Sequence, residues 1–297
     1  MCSSDLVEPL EWGKTGWIWE DSEERNQIDQ CIGKFYQLMQ QQVQNPFDIC
    51  VHVDLPTAWK RSAPVMIGVT AGIETDAVSP VWLAPSFREV DKIVVPSEFS
   101  KQGFLNSIEK YKDAFDEGTK NNLNQLKQQL ESKISVVSYP VRDFNQVDLN
   151  LNLETDFNFL LVAQWGPRKN IENTLREFYR EFQNESDVGL VVKTNIVRNS
   201  SPDHFHTKKK LEVIKGEFPQ ALCKVYLLHG ELTHDEIHSL YTHAKIKAMI
   251  NFGHGEGFGL PLFEAAYCGL PVITHDFGGQ KDFLYAEVDG KKKSFFV

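Results

Sequence analysis

Two hydrophobic rhythms alternate through the second half of the chain. Residues 157–163 (FNFLLVA) form a continuous apolar run, as a strand buried on both faces requires. Apolar positions then recur at Ile171, Leu175, Phe178, Tyr179 and Phe182, a helical stripe that Asn170 is placed to cap. The pattern goes on to predict strands at 188–192, 224–228, 246–250 and, briefly, 271–274, and a helix over 208–216. Thr233 and Glu236 stand as a capping box before a helix that buries Ile237, Leu240, Tyr241 and Ala244. Pro261 and Gly269 mark the start and end of another helix. Strands alternating with helices at this spacing predict a parallel sheet covered on both faces. Such sheets take their ligands beyond the carboxyl ends of the strands.

The first half repeats this order less completely. Residues 47–53, 65–70, 92–95 and 134–137 read as strands, and Ser97 caps a helix running through Phe104. Residues 116–131 are polar enough for a solvated helix or a long loop. Residues 142–156 lack periodicity and read as a linker, which divides the chain into α/β domains over 1–150 and 151–297.

Composition narrows the function classes. Among 297 residues 41% are hydrophobic and 24% charged, the balance of a globular protein. No run of ~18 apolar residues predicts a membrane helix. The first eleven residues lack the basic and apolar stretches of a secretory signal. A net charge of -10 argues against a nucleic-acid partner, because phosphate backbones need concentrated positive surface. The five cysteines have no C-x-x-C spacing, so a disulfide framework or zinc site is not expected, and a reducing cytoplasm fits.

The most informative segment is 253–269, GHGEGFGLPLFEAAYCG. Glycines at 253, 255, 257 and 259 permit sharp turning and close approach to a ligand. The turn runs into a helix whose first amides are free for an anion. Glu256 and Glu264, seven residues apart, flank it. Glu256 and the loop amides can hold sugar hydroxyls, and Glu264 can accept hydrogen bonds from a ribose. The plainer reading is a glycine turn with one helix-capping acid. A second segment, 164–170 (QWGPRKN), joins a strand end, a Gly-Pro turn and two cations, Arg168 and Lys169, as a diphosphate clamp would. The alternative is a pair of solvated charges. Lys193 at the end of VGLVVK is a third candidate cation, and His254 within the glycine loop a further ligand contact. His52, ending a strand in FDICVHVDLPT, either faces a cleft or is a core histidine, and Glu74 and Asp76 could line an acceptor pocket. His204 and His206 lack partner ligands for a metal, and His234 and His238 are expected to face water. Residues 13–16 (GKTG) lack the spaced glycine and preceding strand of a P-loop.

The segment EGFGLPLFEA resembles the Glu-seven-residues-Glu signature of retaining GT-B glycosyltransferases, especially glycosyltransferase family 4. PVITHDFGG is similar to that family's next strand and glycine turn. The resemblance implies an α/β fold of two Rossmann-like domains, with donor in the second and acceptor in the first. It implies that Glu256 orients the donor sugar together with the backbone from Gly257 to Leu260, that the backbone at Phe258, Gly259 and Leu260 contacts sugar and diphosphate, that Glu264 binds the nucleotide ribose, and that His52 contacts the sugar. Lys169 falls on the family's lysine. The family's earlier arginine is unmatched, with Gln164 and Trp165 in its region, and Arg168 is its expected substitute. A strand-opening start and a final cross-over helix are not evident, so the chain reads as truncated at one or both ends. The implied activity is transfer of a sugar, with retention, from a nucleotide-diphosphate sugar to an acceptor hydroxyl. No metal or cofactor is required in that reading, and the donor is a co-substrate. The nucleotide, the sugar and the acceptor (glycan, lipid, protein or small molecule) stay open. The alternatives are a nucleotide-sugar epimerase on the same fold and a non-catalytic nucleotide- or glycan-binding module. A dehydrogenase is disfavoured because no G-x-G-x-x-G follows an N-terminal strand.

Overall fold

A computed structural model describes residues 6–9, 21–43 and 46–294. The 13–16 segment and Cys2 lie outside these described residues. In chain order the elements are α1 (Glu23–Gln40), β1 (Ile49–Val53), β2 (Val65–Val69), α2 (Leu83–Arg88), β3 (Lys92–Val95), α3 (Glu98–Lys110), α4 (Glu117–Lys120), α5 (Leu123–Lys133) and β4 (Ile134–Val136). They continue with β5 (Phe157–Val162), α6 (Ile171–Phe182), β6 (Val188–Lys193), α7 (Ser201–Gly216), β7 (Lys224–Leu228), α8 (His234–Tyr241), β8 (Ile246–Asn251), α9 (Leu260–Tyr267), β9 (Val272–Thr274), α10 (Lys281–Leu284) and the hairpin strands β10 (Tyr285–Val288) and β11 (Lys291–Ser294).

The chain forms two compact units. The first comprises Met1–Thr70, Ser79–Val94 and Ser132–Ser135. The second comprises Ala71–Val78, Val95–Glu131 and Val136–Val297. A sheet ordered β1-β2-β3-β4 organises the first unit, with β1 parallel to β2 and β2 parallel to β3. There Trp59 is buried against Gly68, where an added Cβ would come within 2.6 Å of its ring. The helix α1 was not apparent from apolar periodicity because it buries only Phe35.

The second unit holds a five-stranded parallel sheet ordered β7-β6-β5-β8-β9. Alternate residues of its strands face opposite layers. Phe159, Leu161, Leu190, Val192, Ala248 and Ile250 pack with Ile171, Leu175, Phe178 and Tyr179 of α6 and Ile214 of α7. Leu160, Val191, Met249 and Val272 pack with Leu240 and Tyr241 of α8 and Leu262 and Ala265 of α9. Each buried Val, Leu, Ile, Phe or Met among them contributes ~1.5–3 kcal/mol relative to exposure, which is why continuous apolar strands and one-sided helices select this layering. The order reverses at β5, whose neighbours are β6 and β8, so the crevice lies past the carboxyl ends of β5 and β8.

Some expectations change. Residues 142–156 form no helix or strand, yet Leu149, Leu151 and Leu153 pack against the α8–α9 layer. The helix α7 begins at Ser201, well before 208, because Ser200 caps it and its apolar pattern is weak. Asn170 does not cap α6 through its side chain. It adopts a left-handed conformation (φ 52°), and its side-chain Nδ2 instead donates to the Phe252 carbonyl at 3.0 Å. His238 does not face water. It is 3% exposed and stacks on Phe144, with ring centroids 4.6 Å apart. The Thr233–Glu236 capping box is present, and Gly269 takes the positive φ (78°) that ends α9.

Candidate functional site

The site is built at the carboxyl ends of β5 and β8. After β5 the chain turns through Gly166 into a single 3-10 turn, Pro167–Lys169, that presents Arg168 and Lys169. After β8 it forms the glycine loop that leads to α9. Two hydrogen bonds tie these loops together: His254 N donates to the Arg168 carbonyl at 2.7 Å, and the Asn170 side-chain amide donates to the Phe252 carbonyl. Within the glycine loop, Asn251 Oδ1 accepts from Gly253 N at 2.9 Å.

On this frame the predicted charges meet. Lys169 Nζ donates to Glu256 Oε1 in a close ion pair, and Arg168 Nη1 lies 3.5 Å from Glu256 Oε2. Glu256 is only 6% exposed, and these two cations offset the cost of burying a carboxylate there. Arg168 Nη1 also donates to the Gly255 carbonyl at 2.8 Å, and its Nε pairs with Glu74 at 2.6 Å. Burial pushes the Glu74 carboxyl above its ordinary pKa, and the charge of Glu256 adds to this, while Arg168 and Lys169 oppose it. Glu74, read from the sequence as an acceptor-pocket candidate, belongs to this cation cluster. Asp76 instead pairs with Lys110 at 3.1 Å.

The loop glycines have a further role. A Cβ on Gly255 would run into the Glu74 carbonyl oxygen, and one on Gly257 would sit 2.8 Å from the Ile73 carbonyl oxygen. The backbone of Ala71–Val78 thus lies directly on the loop. The Gly257 carbonyl accepts from the hydroxyls of Ser97 and Ser100 at 2.5 and 3.3 Å. Phe258 is buried among Tyr139, Phe263 and Phe283, while Leu260 and His254 are exposed. Gly259 caps α9 at φ 88°.

Glu264 and Lys193 occupy a separate part of the unit. Both line a cavity of about 450 Å³ that Asn199, Gly230, Glu231, Leu232, Thr233, His234 and Ile237 complete. Tyr241 donates its hydroxyl to Glu264 Oε2 at 3.1 Å. Burial, reinforced by the charge of Glu264, holds the Tyr241 phenol well above its ordinary pKa, so it remains a donor. One Glu264 oxygen is thereby oriented. Lys193 Nζ donates to the Gly230 carbonyl, and burial lowers the pKa of its ammonium. Glu256, Arg168 and Lys169 are not among the residues lining this cavity. The structure therefore groups the predicted residues into an ion cluster around Glu256 and a cavity around Glu264.

His52 lies in the first unit on β1, opposite Gly68, with its Nε2 buried and unpartnered among the described residues. His204 and His206 are exposed, and no group of three metal-ligating side chains occurs among the described residues. Tyr241 and Asn251 were missed by sequence reasoning. Periodicity marks Tyr241 as core but says nothing of its hydroxyl, and Asn251 falls on the last position of a strand.

Residues 145–291 match the family model of glycosyl transferases group 1. The serotype-specific mannosyltransferase WbdA of Escherichia coli is 30% identical over 119 residues, 40% of this chain and 13% of WbdA. The chain thus spans a small part of that relative. Among solved structures, Anabaena Alr3699/HepE in complex with UDP-glucose superposes with a TM-score of 0.52 at 13% identity, over 92% of this chain and 75% of that one. The E. coli trehalose-6-phosphate protein bound with UDP-2-fluoro glucose superposes at 0.54 and 12% identity, over 89% and 66%. At such identities the likeness concerns the fold, an α/β architecture of the GT-B type.

Proposed function

We propose that this chain is a retaining glycosyltransferase of the GT-B type, or the donor-handling part of one, acting on a nucleotide-diphosphate sugar. The observation that carries the reading is Glu264. Its carboxylate, steadied by Tyr241, faces a cavity large enough for a nucleoside, inside the stretch that matches glycosyl transferases group 1. WbdA, similar over part of its length, is a mannosyltransferase, and two proteins of like fold bind uridine-diphosphate sugars.

In this reading the nucleoside occupies the 450 Å³ cavity and its ribose hydroxyls donate to Glu264. The diphosphate extends to Arg168 and Lys169. As the glycosidic bond breaks, negative charge grows on the leaving diphosphate, and fixed cations beside it lower the barrier. Glu256 holds both cations at the mouth of the glycine loop, and its own place there suits it to orient the sugar. The acceptor hydroxyl attacks from the face that the leaving group vacates, which gives retention. The proton it loses passes to the departing phosphate oxygen.

A thermal-shift panel of uridine, guanosine and adenosine diphosphates tests the donor site. One of them raises the melting temperature in a concentration-dependent way, as ligand linkage requires. Absence of any shift across the panel at millimolar concentration contradicts the reading. With donor and acceptor identified, the anomeric configuration of the product, read by NMR, decides between retention and inversion.

A further inference from the structure

Asp203 is a carboxylate that the proposed chemistry leaves unused. It sits in the first turn of α7 and is 8% exposed. The cap of that helix is already supplied by Ser200, whose hydroxyl accepts from Asp203 N at 3.4 Å. The Asp203 side chain turns back instead, to the loop that joins β6 to α7. Its oxygens accept from the amides of Ile196 at 3.2 Å, Val197 at 3.3 Å and Arg198 at 3.0 Å. Burial opposes its charge, but these amides and the His229 ring outweigh it and hold the carboxyl below its ordinary pKa.

The fourth partner comes from another loop. His229 Nε2 lies 3.4 Å from Asp203 Oδ2, with both side chains buried. An ionised carboxylate only accepts, so Nε2 carries the hydrogen. The His204 ring packs edge-on against His229, with centroids 5.2 Å apart. The next residue, Gly230, receives Lys193 through its carbonyl. Asp203 thereby joins the β6–α7 loop, which contributes Asn199 to the Glu264 cavity, to the β7–α8 loop, which contributes residues 230–233.

We propose that Asp203 and His229 are a positioning pair that fixes the two loops walling the Glu264 cavity and so sets its affinity for a nucleoside diphosphate. The pair touches no reacting atom. Its effect falls on ligand affinity, because the loops must otherwise be ordered when the nucleotide enters, and that cost is subtracted from binding. The ligand role rests on the nucleotide reading above, whereas the clamp itself rests only on the contacts just described.

The experiment compares wild type, His229→Ala, His229→Gln and Asp203→Asn. Amide hydrogen exchange at 195–199 and 229–233 reads the clamp, and calorimetry with uridine, guanosine and adenosine diphosphates reads affinity. His229→Ala is expected to speed exchange in both loops and to weaken binding about tenfold. Glutamine can still donate to the carboxylate, so His229→Gln restores most of both. Asp203→Asn keeps one acceptor oxygen and falls between. Unchanged exchange in His229→Ala overturns the clamp whatever the nucleotide does. Faster exchange with unaltered affinity overturns the ligand role. A wild type that binds none of the three diphosphates refutes the nucleotide reading, and the ligand role with it, and exchange still judges the clamp.

Discussion

Arg168 and Lys169 are each met by a carboxylate, so a diphosphate approaching them enters a cluster that is formally neutral. Glu256 is buried and held on several sides, whereas Glu74 is about one-third exposed and reaches Arg168 from Ala71–Val78. On the proposed reading, Glu74 is therefore the acid that an incoming diphosphate displaces. Glu74→Gln is expected to tighten nucleoside-diphosphate binding about fivefold, equivalent to ~1 kcal/mol for a partly exposed ion pair. The wild type gains the same advantage as pH falls, since burial raises the pKa of this carboxyl and protonation removes the competing charge. The variant lacks that part of the pH dependence. Calorimetry on both proteins from neutral to mildly acid pH reads the effect, and equal or weaker binding by the variant contradicts it. Glu256, Arg168 and Lys169 were legible in the sequence because a glycine loop and a Gly-Pro turn each follow a strong apolar strand. The pairing of Glu256 with both cations, and the arrival of Glu74 from more than eighty residues upstream, were not legible. They depend on tertiary approach that no local pattern encodes.

The glycine loop shows how an element can be recognised for one reason and built for two. Close backbone approach was expected there, with a ligand as the approaching group. The structure shows that Gly255 and Gly257 also make room for the backbone of Ile73 and Glu74. Gly255→Ala forces a methyl group against the Glu74 carbonyl and is expected to cost ~1–3 kcal/mol, the range of an overpacked site. Gly216→Ala, at the end of α7 with open space around it, serves as a control and should be neutral or stabilising. Thermal denaturation of the two variants checks this, and equal melting temperatures contradict the packing argument. The strands β5, β6 and β8 and the helices α6 and α8 were readable because each buries one face, or two, in a regular pattern, and α9 was readable from Pro261 and Gly269 at its ends. The helix α1 and the first two turns of α7 were not, because they bury few apolar residues and are held by caps and by polar contacts such as those of Asp203.

At the scale of the molecule, a chain of net charge -10 gathers its site cations at strand ends of one parallel sheet. No helix among the described residues is long and apolar enough to cross a membrane. The layers of the second unit follow from two-faced apolar strands and one-sided helices, and this unit contains the 145–291 match. The sequence reading did not foresee that Ala71–Val78 and Val95–Glu131 cluster with the second unit, since contact partners distant along the chain leave no trace in periodicity. The central claim is that Glu264 receives the ribose of a nucleoside diphosphate. Titration calorimetry of the 297-residue chain and its Glu264→Ala variant, with the diphosphate that stabilises the wild type, addresses it most directly. The account predicts one site per chain and affinity at least about tenfold weaker in the variant, the worth of a charge-assisted hydrogen bond or two. Equal affinity in the two proteins would contradict it.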